Sequence, residues 1–188
     1  IYISKTDEEN SDYNATFDAL RERFGKKVAP LVVPIWDENK KVTGLIDVLN
    51  KRAYEMQDLK RVEIEVPADK ADVVTEFNDA LKESVAETSE EFMDKFFGGE
   101  DFTYAEMIQG LRQGVRELSL FPVVCGSAIN CMGSLMLMDN IVELLPNPAE
   151  GNYHKATKSD GTTEEFVVSP GGVPTAFVFK TISDQYGK

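Results

Sequence analysis

The 188-residue sequence is poor in the residues that hold metals or form nucleophile–base pairs. Cys125 and Cys131 are its only cysteines, and His154 is its only histidine. A zinc site of four cysteines, or of two cysteines and two histidines, is therefore excluded within the chain, and a disulfide scaffold is disfavoured. A Ser-His-Asp or Cys-His mechanism has a single imidazole available. Two free thiols are typical of a reducing compartment, which predicts a cytoplasmic protein.

Positive charge and long apolar runs are also scarce. The sequence has 20 Lys and Arg against 33 Asp and Glu, a formal net charge of −13. Because no apolar run approaches roughly 18 residues, we expect no membrane-spanning helix and no membrane partner. The acidic balance disfavours a broad basic surface, so no sequence-specific nucleic-acid partner is expected. The 42% hydrophobic content is typical of a folded globular chain.

Hydrophobic periodicity predicts alternating strands and helices, and therefore an α/β fold. The predicted strands lie at about 28–35, 42–48, 52–56, 61–66, 120–125 and 173–183. The predicted helices lie at about 12–24, at 69–86, from Thr88 to Gly98, from Thr103 to Leu118 and at 133–145. The segment at 146–172 has the Pro, Gly and polar composition of a linker.

Two details of these helices are specific enough to check. Thr88 with Glu91, and Thr103 with Glu106, have the spacing of capping boxes at helix N-termini. The apolar residues of the helix at 133–145 have helical spacing, so we expect them to face the core. They are Leu135, Met138, Ile141, Val142 and Leu145.

Two short polar loops carry the chemistry of the sequence. Ser4-Lys5-Thr6-Asp7 follows the strand-like Ile1-Tyr2-Ile3, and Gly126-Ser127-Ala128 follows the apolar run at 120–125. In an open α/β sheet, ligands bind at such carboxyl ends of strands. A carboxylate in one loop accepts hydrogen bonds from a donor edge, and a backbone N–H in the other donates to a carbonyl oxygen. Guanine offers that combination and adenine does not, so the two loops together suit guanine.

In their order along the chain, these segments resemble the elongation factor G family of translational GTPases. Ser4-Lys5-Thr6-Asp7 is similar to the family's guanine-specificity motif N-K-x-D, and Gly126-Ser127-Ala128 to its second base-recognition motif. Further segments resemble the family's G-prime insert, the end of its G domain and the first strand of its second domain. These segments are 29–35, 44–48, 91–97, 144–148 and 176–180.

The resemblance implies an α/β fold that is the C-terminal part of a P-loop GTPase G domain. It also implies an inserted β/α subdomain, called G-prime, and the first strand of a β-barrel domain. The expected parts are a G domain remnant at 1–25, the G-prime insert at 26–121, the C-terminal part of the G domain at 122–148, a linker at 149–172 and the start of the β-barrel domain at 173–188.

The same resemblance assigns nucleotide-binding roles to five residues. Asp7 would pair with the N1 and N2 groups of guanine, and the aliphatic stem of Lys5 would lie along the base. Ser127 and Ala128 would present their backbone N–H groups to guanine O6. Ser4 stands where the family has Asn, which braces the neighbouring loops, and serine has a shorter reach.

The catalytic half of such a GTPase has no counterpart in these residues. No G-x-x-x-x-G-K-[ST] sequence occurs, so a phosphate-binding loop and its magnesium ligand are missing from the 188 residues. We therefore expect no catalytic residue, no metal site and no bound cofactor in this chain, which by itself is not an enzyme. The parent implied by the resemblance is a GTPase that uses GTP or GDP, and the abrupt ends predict that the chain is cut from it.

Three functions remain open at this point. The resemblance implies a parent that drives translocation on the ribosome, with the insert meeting the ribosomal stalk protein. A paralogous ribosomal-protection factor is the first alternative, and a protein-interaction module built on the insert is the second. Residues 62–106 hold 14 acidic and three basic residues. They form either an ordinary solvated helical surface or a docking surface for a basic partner.

Overall fold

The computed structural model describes residues 1–39, 41–150, 154–172 and 174–183. The chain divides into two compact units, Ile1–Leu145 and Pro146–Lys188. The first unit is a mixed α/β structure with one parallel and one antiparallel sheet. Among the described residues, all of the buried hydrophobic core lies within this first unit.

The parallel sheet has three strands and positions the two polar loops. It consists of β1 (Tyr2–Ile3), β2 (Val28–Pro30) and β7 (Phe121–Cys125), with β7 between the other two. The predicted strand at 120–125 is confirmed as β7. Its residues from 123 onward are buried, as in a strand covered on both faces.

The antiparallel sheet is a four-stranded meander. Its strands are β3 (Val32–Trp36), β4 (Val42–Asp47), β5 (Arg52–Gln57) and β6 (Lys60–Ile64). The predicted strands at 42–48, 52–56 and 61–66 are confirmed within two residues at each end. A meander needs only short turns between neighbouring strands, which is why local sequence patterns found it.

The single strand predicted at 28–35 is wrong, because it is two strands that belong to different sheets. Leu31 separates them: its N–H donates to the Val123 carbonyl at 2.8 Å, on the parallel side. Its carbonyl accepts from the Val48 N–H at 3.0 Å, on the meander side. Leu31 is buried and joins the two sheets. The unbroken apolar run hides this change of partner, since both halves are covered on both faces.

Three helices lie between β6 and β7. They are α2 (Ala71–Ala86), α3 (Glu90–Phe97) and α4 (Tyr104–Glu117). The capping box predicted for Thr103 and Glu106 is confirmed at the start of α4. The one predicted for Thr88 is wrong, because Ser89 caps α3 and accepts from the Phe92 N–H at 3.2 Å. The Thr88 hydroxyl instead donates to the Val85 carbonyl at the end of α2.

Helix α1 (Tyr13–Phe24) lies between β1 and β2 in the sequence, and α5 (Ser134–Leu144) follows β7. Helix α1 begins where expected, since the Asp12 carboxylate accepts from the Ala15 N–H at 2.9 Å. It ends at Gly25, which has a φ of 69° that favours glycine.

The burial predicted for α5 is wrong. Its buried side chains are Met136 and Leu144, while all five residues expected in the core are exposed, from 44% for Leu135 to 78% for Val142. On the side opposite these five exposed residues, the helix also makes polar contacts. Asp139 pairs with Arg61 at 2.6 Å, and Glu143 accepts from the Tyr104 hydroxyl at 3.0 Å. Both the buried side and the exposed side of α5 therefore carry apolar residues, and hydrophobic spacing alone predicted the wrong side to be buried.

The second unit contains one β-hairpin, of strands β8 (His154–Thr157) and β9 (Thr163–Phe166). It lies inside the segment predicted as a linker. Residues 174–183 form no strand, so the strand predicted at 173–183 is not present in its described part. A strand needs a neighbouring strand, and among the described residues no strand pairs with this segment in a sheet. That the segment begins a β-barrel domain stays a prediction.

Candidate functional site

The two polar loops predicted from sequence lie side by side. Strands β1 and β7 are parallel neighbours in which Ile3 is in register with Cys125, so both loops leave the same edge of the sheet. Two backbone hydrogen bonds then join the loops directly. The Gly126 N–H donates to the Ile3 carbonyl at 3.0 Å, and the Thr6 N–H donates to the Gly126 carbonyl at 3.3 Å. The structure therefore brings Ser4–Asp7 and Gly126–Ala128 together.

The first loop presents its charged side chains to solvent. Ser4, Lys5 and Asp7 are exposed, whereas Thr6 is buried and its hydroxyl has no partner. Lys5 has a φ of 62°, in the left-handed region that few residues other than glycine adopt. Such local strain is common at ligand-binding loops. The Lys5 ammonium lies 3.9 Å from the Glu8 carboxylate, so the two exposed charges partly offset each other.

The second loop is closed by its own backbone. The Ser127 N–H donates to the Met132 carbonyl at 2.8 Å, and Ser127 is fully buried with an unpartnered hydroxyl. Ala128 is exposed, and its N–H makes no hydrogen bond within the described part of the chain. Of the two N–H groups predicted to face a ligand, that of Ala128 is therefore the accessible donor.

Gly126 is enclosed on two sides. A Cβ atom at this position would meet the Met132 carbonyl oxygen and would lie 2.7 Å from the hydroxyl oxygen of Tyr2. Both contacts are closer than real Cβ atoms allow, so any side chain here forces the backbone to move. The glycine of this loop is required by close packing, since its φ is not positive.

Burial sets the protonation of the groups beneath the loops. Burial is the largest cause of the raised pKa of Tyr2, and the nearby Cys125 and Asp7 raise this pKa further. The Tyr2 hydroxyl is therefore protonated at neutral pH and able to donate. Burial also raises the pKa of Cys125, whose thiol donates to the Val32 carbonyl at 3.4 Å. Cys125 thus behaves as a small buried hydrophobe and not as a thiolate.

A cavity of about 360 Å³ lies next to the first loop. Its lining includes Ser4, Lys5 and Thr6 from the loop, together with Tyr13 and Trp36. Asp7, Ser127 and Ala128 do not line it. The cavity therefore borders the first loop but does not include the Asp7 carboxylate or the accessible N–H of Ala128.

Sequence reasoning missed Tyr2 and Trp36 as neighbours of this site. The sequence places Tyr2 only in a buried strand, and its contact with Gly126 depends on which strand lies beside β1. Trp36 is the last residue of β3 and lines the cavity. Its ring centroid lies 6.1 Å from that of Tyr13. No local pattern shows either contact, because both join distant parts of the chain.

The described residues offer neither a metal centre nor a membrane-spanning helix. No group of three or more His, Cys, Asp and Glu among them is arranged to hold a metal ion. None of the helices in this part of the chain combines the length and apolar character that crossing a bilayer requires.

Comparison with known proteins gives one consistent relationship. No family model matches the chain. An elongation factor G-like protein of Thermotoga maritima is 31% identical over 186 residues, which are 99% of this chain and 26% of that protein. A crystal structure of a Thermus thermophilus protein superposes with a TM-score of 0.73 at 30% identity, over 81% of this chain and 23% of the other. The chain thus spans about a quarter of the length of these relatives.

Proposed function

Because the chain is homologous over nearly its full length to one segment of an elongation factor G-like protein, we propose that it is the guanine-recognition and insert segment of a translational GTPase. The observation that supports this most directly is the adjacency of the loops Ser4–Asp7 and Gly126–Ala128 at the carboxyl ends of neighbouring parallel strands. This is the position at which open α/β sheets bind their ligands.

The exposed groups of the two loops fit the edge of guanine. The Asp7 carboxylate accepts from the N1–H and from the exocyclic N2 amine, which are adjacent donors on the base. The Ala128 N–H donates to O6 on the same edge. Ser127 closes the loop through its bond to Met132, so its own N–H reaches O6 only if that bond is released. Adenine lacks both the N1–H and the O6 carbonyl, and it is rejected for that reason.

Three further residues shape the first loop. The aliphatic stem of Lys5, held in its left-handed conformation, lies along the face of the base. Glu8, which stands where the elongation factor G family usually has Arg, draws the Lys5 ammonium to one side. Ser4 takes the place of the family's Asn and gives the loops less bracing.

The parent protein, in this proposal, hydrolyses GTP with Mg²⁺ to drive translocation on the ribosome in the cytoplasm. The residues present here fit the base and not the phosphates, because no phosphate-binding loop occurs among them. Phosphate contacts supply most of the charge-assisted binding of a nucleotide. We therefore expect this chain by itself to bind guanine nucleotides with a Kd on the order of 1 mM and not to hydrolyse GTP.

Titration of the ¹⁵N-labelled chain with nucleoside monophosphates tests this proposal. Guanosine monophosphate is expected to shift the amide signals of Lys5, Asp7 and Ala128, whereas adenosine monophosphate leaves them in place. Equal shifts with both nucleotides would mean that the loops do not read the base. A micromolar Kd for guanosine diphosphate would contradict the inference that the phosphate-binding half is missing.

The substitution Asp7→Asn sharpens the test. It replaces one acceptor by a donor that faces the N2 amine of guanine, at a cost of about 2–4 kcal/mol or roughly 30- to 1000-fold. Guanosine monophosphate binding should then fall below detection. Xanthosine monophosphate carries a carbonyl at that position, so it should now be preferred. Asp18→Asn, an exposed carboxylate on α1, is the matched control and should leave both affinities unchanged.

A second function is supported by the charge of the insert. We define the acidic surface as the 14 acidic residues within 62–106, all exposed except Glu106. The three lysines of this segment are already paired. Lys70 with Asp69, Lys82 with Asp101 and Lys95 with Glu106 lie between 2.7 and 3.2 Å apart. Phe97, 78% exposed at the end of α3, adds an apolar contact beside these charges.

We propose that the acidic surface docks a partner with exposed Lys or Arg, which for this family is the ribosomal stalk protein. Such an encounter is steered by charge, so it should weaken as salt rises. Titration of the labelled chain with the stalk domain at low and high salt should shift signals of α2 and α3 only at low salt. A double variant of Glu90→Gln and Glu91→Gln should weaken the shifts, whereas Glu164→Gln on β9 should not. Unchanged spectra at both salt concentrations would leave the acidic surface an ordinary solvated face.

A further inference from the structure

The phenol of Tyr2 lies against the second base-recognition loop. Tyr2 is half-buried on β1, in register with Val124 of β7, and its hydroxyl lies beside Gly126, which follows the end of β7. The hydroxyl oxygen lies so near Gly126 that a Cβ there would be 2.7 Å away. Gly126 is thus enclosed between the Tyr2 hydroxyl on one side and the Met132 carbonyl on the other.

Few other groups hold the loops together. The two backbone bonds at Gly126 connect the bases of the loops, but they do not involve Asp7 or Ala128. The Ser4 hydroxyl makes no hydrogen bond within the described part of the chain. The Tyr2 hydroxyl lies against Gly126 of the second loop, and the Asp7 carboxylate of the first loop is near enough to contribute to the raised pKa of Tyr2.

We infer that Tyr2 is a positioning residue, whose phenol sets the position of Gly126–Ala128 relative to Asp7 and thereby the discrimination between guanine and adenine. This inference rests on the proposed base-recognition function and adds a residue to it. The donors and acceptors of the guanine edge have a fixed spacing, so recognition needs Asp7 and the Ala128 N–H at matching distances. A loop that shifts by a fraction of an ångström loses part of one contact and keeps the other.

The substitution Tyr2→Phe removes the hydroxyl and keeps the ring in the sheet. In the full 188-residue chain, it should lower the affinity for guanosine monophosphate about 3- to 10-fold, because the second loop loses the hydroxyl that lies against Gly126. The preference for guanosine over adenosine monophosphate should fall by a similar factor. In the nucleotide-free chain, the amide signals of Gly126, Ser127 and Ala128 should move while those of α4 stay in place.

Tyr104→Phe is the matched control, because it also removes a hydroxyl, but one that bonds to Glu143 between α4 and α5. It should leave the guanosine-to-adenosine ratio unchanged. Urea unfolding of each variant separates a loss of stability from a change in recognition, since the ratio of two affinities is not altered by partial unfolding. If Tyr2→Phe has the same guanosine-to-adenosine affinity ratio and the same loop signals as the unsubstituted chain, Tyr2 does not position the site, although base recognition itself still stands. If the unsubstituted 188-residue chain shows no preference for guanosine over adenosine monophosphate, the proposed function fails and this inference fails with it.

Discussion

At the scale of single residues, Gly126 shows how tightly the second loop is packed. Replacing it with alanine places a Cβ against the Met132 carbonyl oxygen, a backbone atom that cannot rotate away. We expect Gly126→Ala to destabilise the chain by about 1–3 kcal/mol, the usual cost of forcing a packed backbone to shift. Urea unfolding measures this change. Gly171→Ala is the control, because no atom lies within 4 Å of its Cβ, and it should stay within about 0.5 kcal/mol of the parent.

Glu106 is a residue whose charge links stability to pH. Its hydrogen bond with Lys95, at 2.7 Å, is the main cause that lowers its pKa to about 2, and the N–H and hydroxyl of Thr103 add to the effect. A lowered folded-state pKa contributes stability above the unfolded value, which is near 4.5, and the contribution is lost as pH falls towards 2. Unfolding of the parent and of Glu106→Gln from about pH 6 to pH 2 should therefore show a stability difference that shrinks below about pH 4.5. A difference that stays constant over this range would show that the carboxylate's charge is not what stabilises α4.

At the scale of elements, α5 shows that apolar residues of one helix can be either buried or exposed. Val142 is 78% exposed and Leu144 is 3% exposed, although both lie in the last turn of the same helix. Leu144→Ala should cost about 2–5 kcal/mol, because it empties a packed site. Val142→Ala should change stability by less than about 0.5 kcal/mol. Thermal or urea unfolding of the two variants checks this, and a comparable loss in both would mean that the exposed side of α5 is covered in solution.

The sequence predicted the helices and strands better than it predicted which of them are neighbours. Helix 69–86 and the strands of the meander follow from patterns that repeat within a few residues, so each appears close to its predicted bounds. Leu31 shows the limit, since its two hydrogen bonds go to Val123 and Val48, and nothing in an apolar run marks a change of sheet. Thr88 shows another, because Thr88 and Ser89 both suit a helix start and only the end of α2 decides between them.

At the scale of the whole molecule, the candidate site was predictable in outline because parallel neighbours bring strand ends to one edge. Knowing that β1 and β7 are such neighbours required the fold, and so did the enclosure of Gly126 by Tyr2 and Met132. The contact between Tyr2 and Gly126 joins residues that are far apart in the sequence. Its geometry depends on the packing of the 95 residues between Gly25 and Phe121, which no local motif encodes.

The division into two units leads to a prediction for the entire chain. Among the described residues, the hydrophobic core lies within Ile1–Leu145, and the large apolar residues of the other unit are exposed, such as Phe177 and Phe179 at 86%, or half-buried, such as Phe166. Stability follows buried apolar area, so the core should unfold as one cooperative unit without residues 146–188. A chain shortened to 1–145 is expected to unfold in urea in a single transition, within about 1 kcal/mol of the full chain. It should also keep the guanosine-induced shifts at Asp7 and Ala128, since both loops lie within it. A broad transition, or loss of those shifts, would mean that residues beyond 145 help to hold the parallel sheet and its loops in place.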